Sequence, residues 1–500
     1  MQKLALLNHR SLHPYRRFTL FADWDLADNN CGHSFDSQLA YLICAIEYVC
    51  QCSLMDPYGP TGTIKLSCIG FHLRDDHWGL NLRGLRMKFH KNVTMFDFAG
   101  IPIVANYDNG IIIGLTAAGA EICRKLLVED LDRSEISLVD QSLFDQLSNS
   151  CFFEGPRHPS ALKTVYFHVT SRCDLTCQGC YSYKEGRNSC EDPSLECIKK
   201  ALDEISSRGI SQLVISGGEP FLRDDLPDIV AYAKEVCGIP SLAILSNGLH
   251  IDQSSLHRLS GHSPCISISF DGYSAESQAH IRGTQNFSKL VDSIKQIKSA
   301  GIQGHIIATI HALNIEDVLQ YVTLSKRLGV TINFSLISFT SSDPHTAGLI
   351  PSPSQLYSLG GALFHLGSDS MAGPHGQTRL NISAKRYCGA AKNTLSIDSD
   401  GTVYPCHMLH EEKYAMGNVF IDSLANALDS DVARLFQQLD ASRFETCSTC
   451  KYCEICGGGC RARSLCSSPT LAAPDPYCPL MIRFFELLED ETSRAFCAVE

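Results

Sequence analysis

Between Leu162 and about Leu336 short apolar runs alternate with amphipathic stretches, and nothing else in the 500 residues restricts the fold as much. Six runs read as strands: Val165–Thr170, Gln212–Ser216, Leu242–Ser246, Cys265–Phe270, His305–Ile310 and Thr331–Leu336. The segments between them repeat apolar residues every three or four positions. Phe287, Leu290, Val291, Ile294 and Ile297 share one helix face behind Asn286, an N-cap candidate. Six successive strand–helix units predict an α/β fold, a partial (β/α)6 parallel barrel. Chemistry in such folds gathers at the carboxyl ends of strands. Four polar motifs fall there: Cys173, Cys177 and Cys180 after strand one, Gly217-Gly218-Glu219-Pro220 after strand two, Ser246-Asn247-Gly248 after strand three, and Ser269-Phe270-Asp271-Gly272 at strand four.

The three cysteines form a CxxxCxxC triplet. Three thiolates can hold three irons of a 4Fe–4S cube and leave the fourth without a protein ligand, a place for chemistry rather than electron carriage alone. A zinc knuckle or a set of buried thiols is the alternative. The chain has 24 Cys, nine of them between Cys388 and Cys478. Leu39–Val49 is interrupted by Glu47 and too short to span a bilayer, and Leu4–Leu7 is too short for a signal-peptide core. The cysteines therefore point to metal or cluster ligands in a reducing compartment, and the expected location is cytoplasmic, with no membrane partner. A net charge of −12 argues against nucleic acid as a partner.

Four regions follow. Residues 1–86 show no sustained periodicity and stay unassigned; a mis-called extension ahead of a start at Met87 or Met95 is one reading. Residues 87–158 read as short strands around an Asp108-Asn109-Gly110 turn, then helices at Ala117–Val128 and Leu138–Ser148, the size of a winged-helix module. Residues 159–368 hold the barrel, and a Gly/Pro-containing linker spans Asp369–Thr378. Residues 379–500 carry the second cysteine group and close with an apolar helix, Leu480–Leu488.

The triplet at the end of the first strand resembles the radical S-adenosylmethionine (SAM) superfamily over roughly Lys163–Leu336. The resemblance implies a 4Fe–4S cluster on Cys173, Cys177 and Cys180 whose open iron is chelated by SAM, and reductive cleavage of SAM to a 5′-deoxyadenosyl radical. Gly217, Gly218, Glu219 and Pro220 are similar to the family's GGEP motif, with the carboxylate expected at the methionine ammonium. Ser269 and Arg282 resemble the pair that meets ribose and the methionine carboxylate, which suits the planar guanidinium. Ser246 and Asn247 are further candidates for the ribose side. Relatives often carry an aromatic residue just before the third cysteine; here Gly179 stands there, and Tyr181 is the expected substitute near adenine.

Cys388-x12-Gly401-x4-Cys406, then Cys447-x2-Cys450-x5-Cys456-x3-Cys460, then Cys478, resembles the SPASM auxiliary-cluster domain; zinc ribbons are the alternative. The likeness implies two auxiliary 4Fe–4S clusters: a distal one on Cys447, Cys450, Cys456 and Cys478, and a nearer one on Cys388, Cys406 and Cys460. Cys453 or Cys466 could complete the nearer set.

Thr94–Glu154 resembles leader-peptide recognition modules of peptide maturases, which would bind a leader by strand addition. The expected function is a radical SAM oxidoreductase that matures a ribosomally made precursor peptide (a RiPP maturase), with Cys thioether crosslinking as the favoured outcome. Its expected partners are a leader-bearing precursor peptide and a flavodoxin- or ferredoxin-type electron donor. The alternatives are an anaerobic sulfatase-maturing enzyme, a tetrapyrrole-modifying enzyme, and a non-enzymatic iron–sulfur carrier or peptide-binding scaffold. Against the sulfatase-maturing reading, His407 stands where Asp is usual and Thr394 where a further cysteine is usual. His407 could itself be a base near neutral pH, though such a His is more often a surface or packing residue.

Overall fold

Apolar runs at regular spacing, each followed by a helix that can cover them, build one nine-stranded sheet. The computed structural model describes residues 86–154, 162–282, 286–338, 344–370 and 382–497. The readings for residues 1–85 and for linker residues 371–378 lie outside the described residues.

Arg86–Met87 (β1) pairs with Leu131–Asp132 (β5). Between them Val93–Phe98 (β2), Ile101–Asn106 (β3) and Ile112–Gly114 (β4) form an antiparallel sheet. Then come Thr164–Thr170 (β6), Gln212–Gly217 (β7), Ser241–Ser246 (β8), Cys265–Phe270 (β9), Gln303–Ile310 (β10) and Thr331–Leu336 (β11), each parallel to the one before. The six expected strands are thus present in the expected order. Unforeseen was Thr394–Ile397 (β12), which joins the far side of β6 in parallel and carries Thr402–Tyr404 (β13) and Gly417–Asn418 (β14) with it.

Side chains alternate across the sheet. Val165, Phe167, Val169, Leu213, Ile215, Ile266, Ile268 and Phe270 enter the main core with helix residues such as Ile198, Leu202, Leu290 and Ile294. The alternation turns Tyr166, His168, Ser216, Ser267 and Ser269 to the opposite face. Helix Phe287–Ser299 begins after Asn286 as expected, but the Asn286 side chain makes no capping bond. Asp369 and Ser370 belong to helix Pro353–Ser370 rather than to a linker, and the closing helix runs from Cys478 to Cys497.

The small sheet β2-β3-β4 is buried on both faces. Phe98, Ile103, Ala105 and Ile112 join the main core, while Val93, Val104, Ile113 and Leu115 form a second core with Ile122, Leu126, Phe144 and Leu147. Helix Ala117–Leu126 is capped by Thr116, whose hydroxyl accepts from Gly119 N at 3.1 Å. Helix Arg133–Asn149 breaks at Asp140, whose carboxylate accepts from Leu143 N at 2.9 Å and restarts it. The unit docks on the segment before Cys388: Ala384 N donates to Gly110 O and Tyr387 Oη to Tyr107 O, both at 2.8 Å. Among the described residues no helix is long and apolar enough to cross a membrane.

Candidate active site and cysteine centres

The triplet loop leaves β6 and is gripped by the backbone that follows β7. Gly218 N donates to Thr170 O at 2.9 Å and Glu219 N to Arg172 O at 2.8 Å. A Cβ at Gly217 would overlap the Thr170 carbonyl and one at Gly218 the Arg172 carbonyl, so two glycines are required by close approach. Cys173 N donates to Asn188 Oδ1 at 2.9 Å, and the buried Arg187 guanidinium donates to Leu175 O. Arg282 Nη1 lies 3.5 Å from Cys177 Sγ, and Cys180 Sγ lies 3.4 Å from Ser182 Oγ. Gly179 has φ +68°, which explains why no aromatic residue stands there. Each of the 18 cysteines from Cys123 to Cys478 is free of a disulfide.

Burial pushes the Cys173 thiol up to about 11 and the Cys177 thiol upward, the latter opposed by Arg282. Cys173 and Cys177 therefore need a strongly cationic occupant to stay ionised, and an iron cluster held by the three cysteines of this loop fits that donor set.

Glu219 is fully buried. Its carboxylate accepts from Ser246 Oγ at 2.8 Å, Asn247 N at 2.6 Å and Phe221 N at 3.0 Å, tying β7 to the end of β8. Burial pushes it up to about 6 against those bonds. Ser246 Oγ also accepts from Gly248 N at 2.9 Å. Asn247 Nδ2 donates to Asp174 Oδ1 at 2.8 Å, and His250 Nε2 meets the other Asp174 oxygen at 2.9 Å. The structure thus joins Glu219, Ser246 and Asn247 to the triplet loop itself, through Asp174, a residue the motif reading passed over.

Asp271 Oδ2 accepts from Ile281 N and Arg282 N at 2.8 Å each, which turns the β9 loop back toward Cys177. Asn247, Asp271, Arg282, Asn286 and Phe287 line a cleft beside it. Ser269 is half-buried on the sheet face opposite the helices. Pro220 opens the short turn Pro220–Leu222. The Tyr181 hydroxyl is 3.0 Å from Ser216 Oγ and its ring packs against His168 and His407.

The C-terminal cysteines fall into two groups. Ala391 N donates to Pro405 O at 2.9 Å, drawing the segment after Cys388 to the one before Cys406, and the Cys460 thiol lies close enough to act on Cys388. Cys447 and Cys450 act on Cys453, and Cys478 and Cys447 act on Cys456. Cys453 therefore lies near Cys447 and Cys450 and packs against the former. Cys466 is exposed, its thiol 3.4 Å from Ala462 O.

Asp475 organises both groups. It accepts from Cys460 N at 2.7 Å and pairs, buried, with Arg463 through bonds of 3.0 and 2.6 Å. Arg461, 1% exposed, donates to Leu471 O and Ala473 O. Two arginines flanking Ala462 in a cysteine-rich run were the available signal. His407 takes the packing role rather than that of a base: it is half-buried, stacked 4.3 Å from the Tyr166 ring, and pushed down to about 3 by desolvation.

The model of the radical SAM superfamily matches residues 167–324, and that of the SPASM iron–sulfur cluster-binding domain matches residues 388–454. The chain carries a radical SAM domain and a SPASM domain. The first binds a 4Fe–4S cluster and SAM, the second auxiliary iron–sulfur clusters, and the radical SAM protein is an enzyme. It is 28% identical over 323 residues to mycofactocin maturase MftC of Mycobacterium tuberculosis, covering 62% of this chain and 81% of that one. It is 25% identical over 324 residues to the PqqA peptide cyclase of Ruegeria pomeroyi, covering 62% and 85%. Among solved structures, SuiB of Streptococcus suis bound to precursor peptide SuiA aligns over 78% of this chain and 98% of that one, with TM-score 0.50 and 14% identity. Native anSMEcpe with bound AdoMet aligns over 67% and 99%, with TM-score 0.54 and 18% identity. These two likenesses concern the fold.

Proposed function

We propose that this enzyme matures a ribosomally made precursor peptide, with a Cys thioether as the bond formed. The observation that carries the peptide reading is the small sheet docked beside Cys388. Its six-residue outer strand β2 pairs only with β3 among the described residues, so its other edge is open to an added strand. The relatives named a maturase and a peptide cyclase, and the peptide-bound SuiB, support it. In this reading residues 87–158 are a winged-helix-type leader module, β6–β11 are a partial (β/α)6 barrel in residues 159–368, and residues 379–500 form the auxiliary-cluster domain.

Bound and reduced, the SAM cluster supplies a 5′-deoxyadenosyl radical that takes hydrogen from a C–H bond. Cys173, Cys177 and Cys180 would hold that cluster. Gly217 and Gly218 let the strand ends close on its loop, and Glu219 fixes Ser246 and Asn247 beside it. Arg282, aimed at Cys177 by Asp271, offers its guanidinium to a carboxylate in the adjoining cleft. Cys388, Cys406 and Cys460 would hold the nearer auxiliary cluster, with Cys466, which shares Tyr477 as a neighbour with Cys460, or a substrate thiolate as its fourth ligand. Cys447, Cys450, Cys456 and Cys478 would hold the distal one. A flavodoxin- or ferredoxin-type protein would be the donor.

Incubating reduced enzyme and SAM with a Cys-containing leader peptide encoded beside it should give a product two hydrogens lighter per crosslink by mass spectrometry. Unchanged peptide mass with SAM still cleaved would reject crosslinking. Formylglycine formation has less support, since His407 is stacked on Tyr166 and Thr394 is a buried strand residue.

A further inference from the structure

We propose that His168, Asp398 and His410 form a site for one divalent transition-metal ion, best suited to Zn2+, at the seam between the parallel sheet and the C-terminal cysteine domain. The site contains no cysteine and stands whether or not the peptide reading holds.

Sheet register creates it. Ser396 pairs with Tyr166 and Ile397 with Phe167, so Asp398, next along β12's path, arrives beside His168 on β6. His410 comes from the loop after Cys406, and its ring centroid lies 4.7 Å from that of His168. His168 and Asp398 are 2% and 3% exposed. One ligand atom from each of the three residues lies within 4.8 Å of the others.

The spacing suits a metal better than hydrogen bonds. His168 Nδ1 is 3.6 Å from Asp398 Oδ1, and His410 Nδ1 is 3.5 Å from Asp398 Oδ2. Good imidazole–carboxylate hydrogen bonds are shorter, about 2.7–3.2 Å. A tetrahedral ion with bonds of about 2.0–2.2 Å to N and O sets its ligands roughly 3.3–3.6 Å apart. Here the two imidazoles face opposite oxygens of one carboxylate, and the three ligand atoms lie within 4.8 Å of one another, so small shifts of the carboxylate would close the shell. His410 Nε2 lies 2.8 Å from Ser396 Oγ, the outer hydrogen bond that orients a metal-bound imidazole. Where Nε2 donates there, Nδ1 turns a lone pair toward the carboxylate, an arrangement that calls for a cation between them. His168 Nε2, also buried, has no hydrogen-bond partner.

Lys184 is the competitor. Its amine pairs with Asp398 from a side chain that is 41% exposed, and lies 3.7 Å from Asp400. It answers the charge of Asp398 on the oxygen that faces His410, and its charge reaches that imidazole as well, but a half-exposed lysine can swing away. Two imidazoles and one carboxylate with an open position suit Zn2+, with Fe2+ and Mn2+ as rivals for the same ligands. A filled site would pin β6 just upstream of Cys173 to the loop just downstream of Cys406, holding the two cluster-bearing segments in fixed relation.

The test uses reconstituted holoenzyme titrated with Zn2+ and desalted, with metal counted by mass spectrometry and its shell read by zinc X-ray absorption. One zinc per chain with only N/O neighbours near about 2.0 Å is expected. His168→Gln and His410→Gln should each weaken zinc binding at least tenfold while iron, sulfide and the visible cluster spectrum stay unchanged. Lys184→Met, which removes the competitor, should bind zinc several-fold more tightly. The site is overturned by no zinc uptake in either wild type or K184M, by a sulfur shell near about 2.3 Å that puts the zinc on cysteines, or by full retention in the H168Q/H410Q double variant.

Discussion

The two cysteine regions are held in opposite ways. The triplet loop is fixed by backbone of a regular sheet: Thr170 and Arg172 carbonyls receive Gly218 N and Glu219 N. The C-terminal cysteines sit on helices as short as Glu445–Ser448 and Cys453–Cys456, and the bonds that order them come from buried charge, Asp475 with Arg463, and Arg461 with peptide carbonyls. A sheet can shape a metal site before metal arrives. A region with little regular structure must draw its order from ion pairs and from the metal itself.

The largest expected break is Cys177→Ala, which should abolish 5′-deoxyadenosine formation and remove about four irons per chain. Auxiliary-cluster spectra should survive it; their loss as well would show that the two regions are not independent. Asp475→Ala should work the other way. Stranding Arg463 in the interior costs about 3–5 kcal/mol, so auxiliary iron should fall and the melting temperature drop while SAM cleavage persists. Gly218→Ala drives a Cβ into the Arg172 carbonyl, and strain of about 1–3 kcal/mol should lower SAM cleavage roughly ten- to a hundred-fold with auxiliary iron unchanged. Normal turnover in G218A would mean the loop is less tightly gripped than the backbone contacts indicate.

The smallest effect concerns pH. The fold holds Glu219 at about 6, above its ordinary 4.5, because burial disfavours the carboxylate. The folded chain therefore binds this proton more tightly than the unfolded chain. That contribution is fully present below pH 4.5 and is lost as pH rises through 6, by about 2 kcal/mol. Urea unfolding of cluster-free protein between pH 4 and 7 should show this decline in wild type and not in Glu219→Gln. Parallel curves would mean that the bonds from Ser246, Asn247 and Phe221 offset burial in full.

Much of this was legible in the chain. Six apolar runs appear as strands within a residue or two, because a parallel strand covered by helices must be apolar nearly throughout. The triplet, GGEP and the C-terminal spacing were legible because metal and backbone geometry admit few substitutes. The attachment of β12 to β6 was not: four residues pair with a partner far upstream, and no local period records that. Nor could spacing reveal that Asn247 reaches Asp174, or that Cys453 lies beside Cys447. The sequence left His407 open between base and packing residue for a related reason: an imidazole's proton affinity is set by what surrounds it, and Tyr166 lies far away in sequence.

The amino-terminal unit is clasped through Tyr107 and Gly110 by Tyr387 and Ala384, which lead directly into Cys388. Anyone grafting a different front end onto this enzyme would have to transplant the 383–387 stretch with it. A fusion cut only near residue 158 would leave the incoming part without its latch, and the outgoing scaffold with an apolar scar where Phe98, Ile103 and Ile112 had been.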